Sequence, residues 1–199
     1  NFLFAGCLAL ASVATGFAAQ QQPLELGQGA GRVGFRTVDA DESGATFRNE
    51  LSVASAAENQ VLLNGSGVAA GDFDLDGFTD LYFCGLESDN VLYRNLGGFR
   101  FQPVKNNGVT SCPGVPSTSS TFADLNGDGY LDILVGTLGQ GLIVLMNDTH
   151  GGFSKSTIKL PDAGSLAIYS TPMTDIDQDG DLDVYLATYR STSIRNNPD

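Results

Sequence analysis

The chain has 199 residues, with 23 acidic side chains against 10 basic ones and a formal charge of −13. That balance argues against nucleic acid or an anionic membrane surface as a partner, because both demand a basic face. Tryptophan is absent and glycine abundant, at 25 residues, which suits a turn-rich β protein better than a helical one.

Residues Asn1 to Ala18 carry no charge and end in small side chains just before Gln20-Gln21-Gln22-Pro23. The pattern predicts a secretory signal peptide over 1–18, with Gly16-Phe17-Ala18 as the small-x-small cleavage site. No basic stretch and no initiator Met precede the apolar run, so the sequence is expected to begin inside its leader. Two alternatives are a retained signal-anchor and a lipoprotein lipobox at Phe4-Ala5-Gly6-Cys7. Residues 19–33 read as a linker. The expected location is extracellular or periplasmic, with no membrane insertion once the leader is cleaved. Cys84 and Cys112 then remain, and in an exported chain two cysteines suggest one disulfide; the alternative is two separate buried thiols. There is no C-x-x-C pair and no His/Cys cluster, so zinc is not expected.

Residues 36–60 show no clear period and are the most ambiguous stretch, and no convincing helical period occurs anywhere. Asp39-Ala40-Asp41-Glu42-Ser43-Gly44 imitates a metal-binding turn, but it runs on to Phe47 and lies out of phase with the repeats that follow. It is expected to be a decoy turn.

Three copies of one acidic loop come next, starting 52 and 51 residues apart. They are Asp72-Phe73-Asp74-Leu75-Asp76-Gly77-Phe78-Thr79-Asp80, Asp124-Leu125-Asn126-Gly127-Asp128-Gly129-Tyr130-Leu131-Asp132 and Asp175-Ile176-Asp177-Gln178-Asp179-Gly180-Asp181-Leu182-Asp183. Carboxylates at alternate positions of a tight turn can point at a common centre, and Gly at position 6 permits the bend. Ca²⁺ takes six to eight oxygens, so the expected ligands are Asp72, Asp74, Asp76 and Asp80, then Asp124, Asn126, Asp128 and Asp132, then Asp175, Asp177, Asp179 and Asp183. Backbone carbonyls of Phe78, Tyr130 and Asp181 would complete the three sites, giving about one ion per loop and three in the chain. Asn126 is neutral, so the second site should be somewhat weaker. An EF-hand would need Glu at position 12, where Phe83, Val135 and Leu186 stand instead. An all-protein oxygen cage also suits Ca²⁺ better than Mg²⁺. Without a metal, the loops would be Asp-Gly turns whose side chains cap their own backbone.

Each loop is followed by two short apolar runs: Leu81–Cys84 and Val91–Asn95, then Ile133–Val135 and Leu142–Asn147, then Val184–Ala187 and Ile194–Asn196. Small residues precede each loop (Val68–Ala70, Ser120–Ala123, Ser170–Met173), and Gly-Phe turns lie at Gly97–Phe99 and Gly151–Phe153. The expected fold is therefore all-β: propeller blades of about four antiparallel strands with calcium loops. Repeats are expected at 34–96, 97–150 and 151–199, the last truncated. Three blades do not close a ring, so the chain reads as a partial propeller whose nearest partners are the remaining blades of the same polypeptide.

These loops and strands resemble the FG-GAP/VCBS repeat. Asn90-Val91-Leu92-Tyr93-Arg94-Asn95-Leu96-Gly97-Gly98-Phe99, with Gly65-Ser66-Gly67-Val68-Ala69-Ala70-Gly71-Asp72 before the first loop, is most similar to the ASPIC/UnbV, cartilage-acidic-protein-like group. The resemblance implies a secreted calcium-binding β-propeller. The integrin signature of that wider class is largely missing, so no integrin role is implied.

The function expected is non-catalytic recognition of an extracellular protein or glycan, with structural calcium. The alternative is the propeller portion of a polysaccharide lyase or hydrolase whose catalytic residues lie outside this chain. His150, the one histidine, sits in a turn. Tyr82, Tyr93, Tyr130, Tyr169 and Tyr185 fall on or beside strands and read as blade packing. Asn64-Gly65-Ser66 and Asn147-Asp148-Thr149 match glycosylation acceptors but are expected to be turn asparagines.

Overall fold

A computed structural model describes residues 37–105 and 108–192; the expected signal peptide, the expected linker, Gly34-Phe35 (a pair related to the Gly-Phe turns) and the apolar run Ile194–Asn196 lie outside the described residues. The chain is all-β apart from short helical turns. Strands β1 (Val68–Gly71), β2 (Asp80–Phe83), β3 (Val91–Asn95) and β4 (Phe101–Pro103) form one antiparallel sheet in sequence order. Strands β5 (Ser117–Ala123), β6 (Asp132–Thr137), β7 (Leu142–Asn147) and β8 (Phe153–Ile158) form a second in the same order. In the third repeat β9 (Leu166–Ser170) pairs with β12 (Ala187–Arg190), and β10 (Met173–Thr174) with β11 (Asp183–Val184). These are two antiparallel strands, each broken once. The fold is that of a partial propeller.

The repeat boundaries at 96/97 and 150/151 fall in the turns between third and fourth strands, so each sheet runs one strand into the next sequence repeat. Gly71 pairs with Asp80 and Ala123 with Asp132, so each acidic loop joins the first two strands at one end of its sheet. The β2–β3 and β6–β7 hairpins lie at the other end.

Side-chain alternation explains the stacking. Ile133 and Val135 of β6, with Ile143 and Leu145 of β7, join Tyr82, Cys84 and Leu92 of the first sheet in one buried cluster. Leu134, Leu142 and Val144 point the other way and meet Ile168 of β9 in a second. Every residue of β6 is buried, because both faces of the second sheet are covered. The innermost strands approach closely. A Cβ at Gly67 would sit 2.8 Å from the Ser119 Cα. The hydroxyls of β5 cross to the third repeat: Thr118 Oγ1 and Ser119 Oγ donate to the Ile168 carbonyl at 2.5 and 3.0 Å.

Residues 37–64 differ from expectation. The decoy turn is one turn of helix, α1 (Ala40–Ser43), closed by Gly44 at φ 75°. A second helix, α2 (Val53–Glu58), starts on Ser52, whose side chain accepts the Ser55 N–H, and a 3₁₀ turn spans Gln60–Asn64. Elements of four to six residues are too short for a 3.6-residue period to show. The segment straps the first sheet. Phe47 stacks on Phe83 with ring centroids 5.2 Å apart. Asn49 Oδ1 accepts the Leu86 N–H at 3.0 Å, at the β2–β3 hairpin. Farther on, Asn59 Nδ2 donates to the Ser191 carbonyl at 2.7 Å, and Tyr169 Oη donates to the Val61 carbonyl at 3.0 Å, tying the strap to the third repeat.

Cys84 and Cys112 are free thiols, both buried in the cluster between the first two sheets. The second of the two alternatives thus describes them, and no disulfide joins them. They pack as small hydrophobes. No helix among the described residues is long and apolar enough to cross a membrane.

Candidate metal sites

Each loop is built the same way from its own carboxylates. The position-1 carboxylate accepts the backbone N–H groups of positions 5 and 6: Asp72 from Asp76 and Gly77 at 3.1 and 2.8 Å, Asp124 from Asp128 and Gly129 at 3.1 and 2.9 Å, and Asp175 from Asp179 and Gly180 at 3.1 and 3.0 Å. The position-5 carboxylates of Asp76, Asp128 and Asp179 accept the N–H of Phe78, Tyr130 and Asp181 at 2.9, 2.8 and 2.9 Å. Self-capping and metal binding are therefore not rival readings: the caps hold the turn that brings the other oxygens together.

Position 6 is left-handed in all three loops, at φ 88°, 88° and 97° for Gly77, Gly129 and Gly180. Position 4 is left-handed too, as Leu75 (φ 58°), Gly127 (φ 76°) and Gln178 (φ 64°). Only the second loop has glycine there; the other two hold a side chain in a region that L-residues disfavour. Sequence reading found the first constraint and missed the second, because two of three copies lack the glycine that would mark it.

Position 9 anchors the loop to the sheet. Asp80 Oδ2 accepts the Phe73 N–H at 3.1 Å and Oδ1 the Asn95 N–H at 2.7 Å. Asp132 repeats this with Leu125 at 2.9 Å and Asn147 at 2.7 Å. Asp183 accepts from Ile176 at 2.9 Å. Asp80 and Asp132 are wholly buried. The closing asparagine of the third strand is thus part of the site, signalled in sequence only by the constant 15-residue spacing from Asp80 to Asn95 and from Asp132 to Asn147.

The groups that converge are positions 1, 3 and 9. One oxygen each from Asp72, Asp74 and Asp80 lies within 4.8 Å of the others, and likewise from Asp175, Asp177 and Asp183. In the second loop Asn126 takes position 3, and its Nδ2 donates to Asp128 Oδ2 at 2.9 Å while its Oδ1 accepts the Asp128 N–H at 3.0 Å. In the first loop Arg94 adds a cation: its Nε lies 2.5 Å from Asp74 Oδ2 and its Nη2 3.0 Å from Asp76 Oδ2. The residue pattern alone did not point to Arg94.

Charge crowding and burial act on these acids. Burial, set against the N–H groups of Asn95 and Phe73, pushes the Asp80 carboxyl up to about 6, and the nearby Asp74 and Asp76 add to the rise. Burial also raises Asp74, opposed by Arg94, and raises Asp132. Asp124 goes the other way, held low chiefly by the Gly129 N–H at the exposed rim.

The donor set fits a hard cation. It is all oxygen, and Asp74 Oδ1 is buried without a hydrogen-bond partner, a state that costs free energy unless something positive meets it. The first and third clusters could hold a metal ion.

Four-stranded antiparallel sheets in tandem, each with an acidic loop between its first two strands, define a β-propeller-like repeat module. A family model for FG-GAP-like repeats matches residues 72–135 and again 124–186, each match opening on the first Asp of a loop, and the chain belongs to that family. A search of curated proteins found no match.

Proposed function

We propose that this chain is part of a secreted, calcium-binding FG-GAP/VCBS repeat protein of the ASPIC/UnbV-like group, a non-catalytic β-propeller module for recognising an extracellular protein or glycan. The convergence of Asp72, Asp74 and Asp80, repeated by Asp175, Asp177 and Asp183, carries the calcium reading. Calcium outside cells is near millimolar, enough to fill even sites of Kd around 10⁻⁴–10⁻³ M. The ion's role is structural: it neutralises clustered carboxylates that otherwise repel one another and strain the turn.

Secretion is supported by the leader-like residues 1–18 and by the acidic composition. A recognition role is supported by the loop end of the first sheet, where Leu75, Phe78 and Phe99 remain exposed beside the carboxylates. A non-catalytic role is supported by what the obvious acid–base groups do. His150 sits in an exposed turn with its Nδ1 2.7 Å from the Asp148 carbonyl oxygen. The Tyr82 hydroxyl is buried and donates to the Thr110 carbonyl at 2.7 Å.

The test is calcium titration by calorimetry together with thermal melting, with and without EDTA. Calcium should raise the melting temperature, and Asp74→Ala and Asp177→Ala should each abolish one site. An unchanged melting curve on chelation, or unaltered stoichiometry in both variants, sinks the reading.

A further inference from the structure

The first and second loops are not equivalent, and Arg94 is one difference between them. It stands one residue before the closing Asn95 of β3, where the second sheet has Met146 before Asn147. The corresponding Arg195 of the third repeat lies outside the described residues. The Arg94 guanidinium reaches the first loop with two of its nitrogens, Nε on Asp74 Oδ2 and Nη2 on Asp76 Oδ2. Asp76 Oδ1 already accepts the Phe78 N–H, so both oxygens of Asp76 are engaged. Asp74 keeps only its Oδ1, buried and unpartnered, for the centre of the loop.

We propose that Arg94 is a tethered counter-ion that sets the cation affinity of the first loop: it holds the carboxylates in place without metal, and it lowers the loop's affinity for Ca²⁺. The inference rests on the calcium reading of the loops. A guanidinium is always charged and forks onto carboxylates through fixed donors, so it is a standing competitor for the electrostatic field that a divalent ion needs. It engages one oxygen of the converging Asp74 and one of the neighbouring Asp76, and places a like charge a few ångströms from the ion. In the second loop the charge is lowered differently, by Asn126 in the turn itself, and no cation is supplied from β7. The first and second loops thus reach a similar net charge by two routes, of which only the first is reversible. A side chain that is 46% exposed can swing into water when an ion arrives, and return when the ion leaves.

The experiment compares wild type, Arg94→Met, Arg94→Lys and Asp74→Ala as the full chain, by calorimetric titration with CaCl₂ and by melting in EDTA. Arg94→Met copies the side chain at the matching position of the second repeat. It should bind Ca²⁺ at the first loop about tenfold more tightly, the order expected on removing one like charge near a divalent ion in a half-exposed site. In EDTA the same variant should melt at a lower temperature than wild type. Arg94→Lys keeps the charge and should bind close to wild type. Adding Asp74→Ala to Arg94→Met should remove the tightened site and so assign it to this loop.

An Arg94→Met isotherm that overlays wild type, or weaker binding at the first loop, overturns the proposal while leaving the calcium reading intact. So does an Arg94→Lys that binds as tightly as Arg94→Met. Absence of any calcium uptake by wild type overturns the calcium reading itself, and this inference with it.

Discussion

The side-chain amide of Asn147 donates to the backbone carbonyl of Phe73 at 2.9 Å, linking the end of β7 in the second sheet to the metal loop of the first. The same amide donates to Leu131 at 3.2 Å, and its backbone N–H to Asp132 at 2.7 Å, so one buried asparagine fastens its own loop and its neighbour's together. Asn147→Ala should cost about 1–3 kcal/mol, because it strands buried carbonyls as well as losing bonds. Urea unfolding measures the loss. Asn95→Ala is the comparison: Asn95 Nδ2 donates to Thr79 within its own repeat, at an exposed site, and should cost less. Equal costs for the two variants would deny the cross-repeat contact its role. The buried setting of Asn147 also makes it a poor glycosylation acceptor.

The acidic core of the loops predicts a pH dependence that calcium should reverse. The folded pKa of Asp80 is about 6, above its ordinary value of 3.8, so ionising it in the fold is unfavourable. The stability cost is absent below pH ~4, grows through the interval between the two values and is complete above pH ~6, and is of the order of 1–3 kcal/mol. Asp74 and Asp132 shift in the same direction. In EDTA the protein should therefore melt at a higher temperature at pH 5 than at pH 7. A divalent ion binds the ionised carboxylates, so the rise in melting temperature on adding calcium should be larger at pH 7. A rise of constant size from pH 5 to pH 7 contradicts this.

The strap over residues 49–64 should open before the sheets do. Its fastening to the third repeat includes the Tyr169 hydroxyl, which accepts from Asn64 Nδ2 at 3.2 Å and donates to the Val61 carbonyl at 3.0 Å. Tyr169→Phe removes both bonds at a cost of about 1 kcal/mol and keeps the ring. Limited proteolysis should then cut within 52–64 several-fold faster than in wild type, with little change in global unfolding. Unchanged cleavage would show that the strap is held by other contacts.

The two thiols of the sheet core should be inert in the native state. Burial pushes the Cys84 thiol up to about 12 and raises Cys112 as well, and only the thiolate reacts. Peptide mapping after alkylation should find both unmodified in native protein and both labelled in denaturant. Rapid native labelling, or recovery of a Cys84–Cys112 disulfide peptide, would contradict the packing described.

The three loops, their period and the strands that follow the first two were legible from residue order alone. Each is a local feature: a turn needs its glycine and capping carboxylates within nine residues, and a strand needs its alternation within five or six. The same locality explains why the EF-hand could be excluded, since the position-12 residue is fixed by counting. It also explains the misses. One-turn helices such as Ala40–Ser43 are below the length at which a period registers. The left-handed residue at position 4 is hidden where Leu75 and Gln178 stand in place of glycine.

Tertiary structure alone decided which oxygens converge, and with what. One carboxylate oxygen each from positions 1, 3 and 9 of the first and third loops comes within 4.8 Å of the others, a selection that the even spacing of the carboxylates did not show. Arg94 reaches its carboxylates because β2 and β3 pair, which carries a residue 18 positions from Asp76 back to the loop. Asn147 reaches Phe73 across 74 positions because the second sheet packs on the first. Contacts of that separation depend on how faces stack, and a sequence records the faces but not their partners.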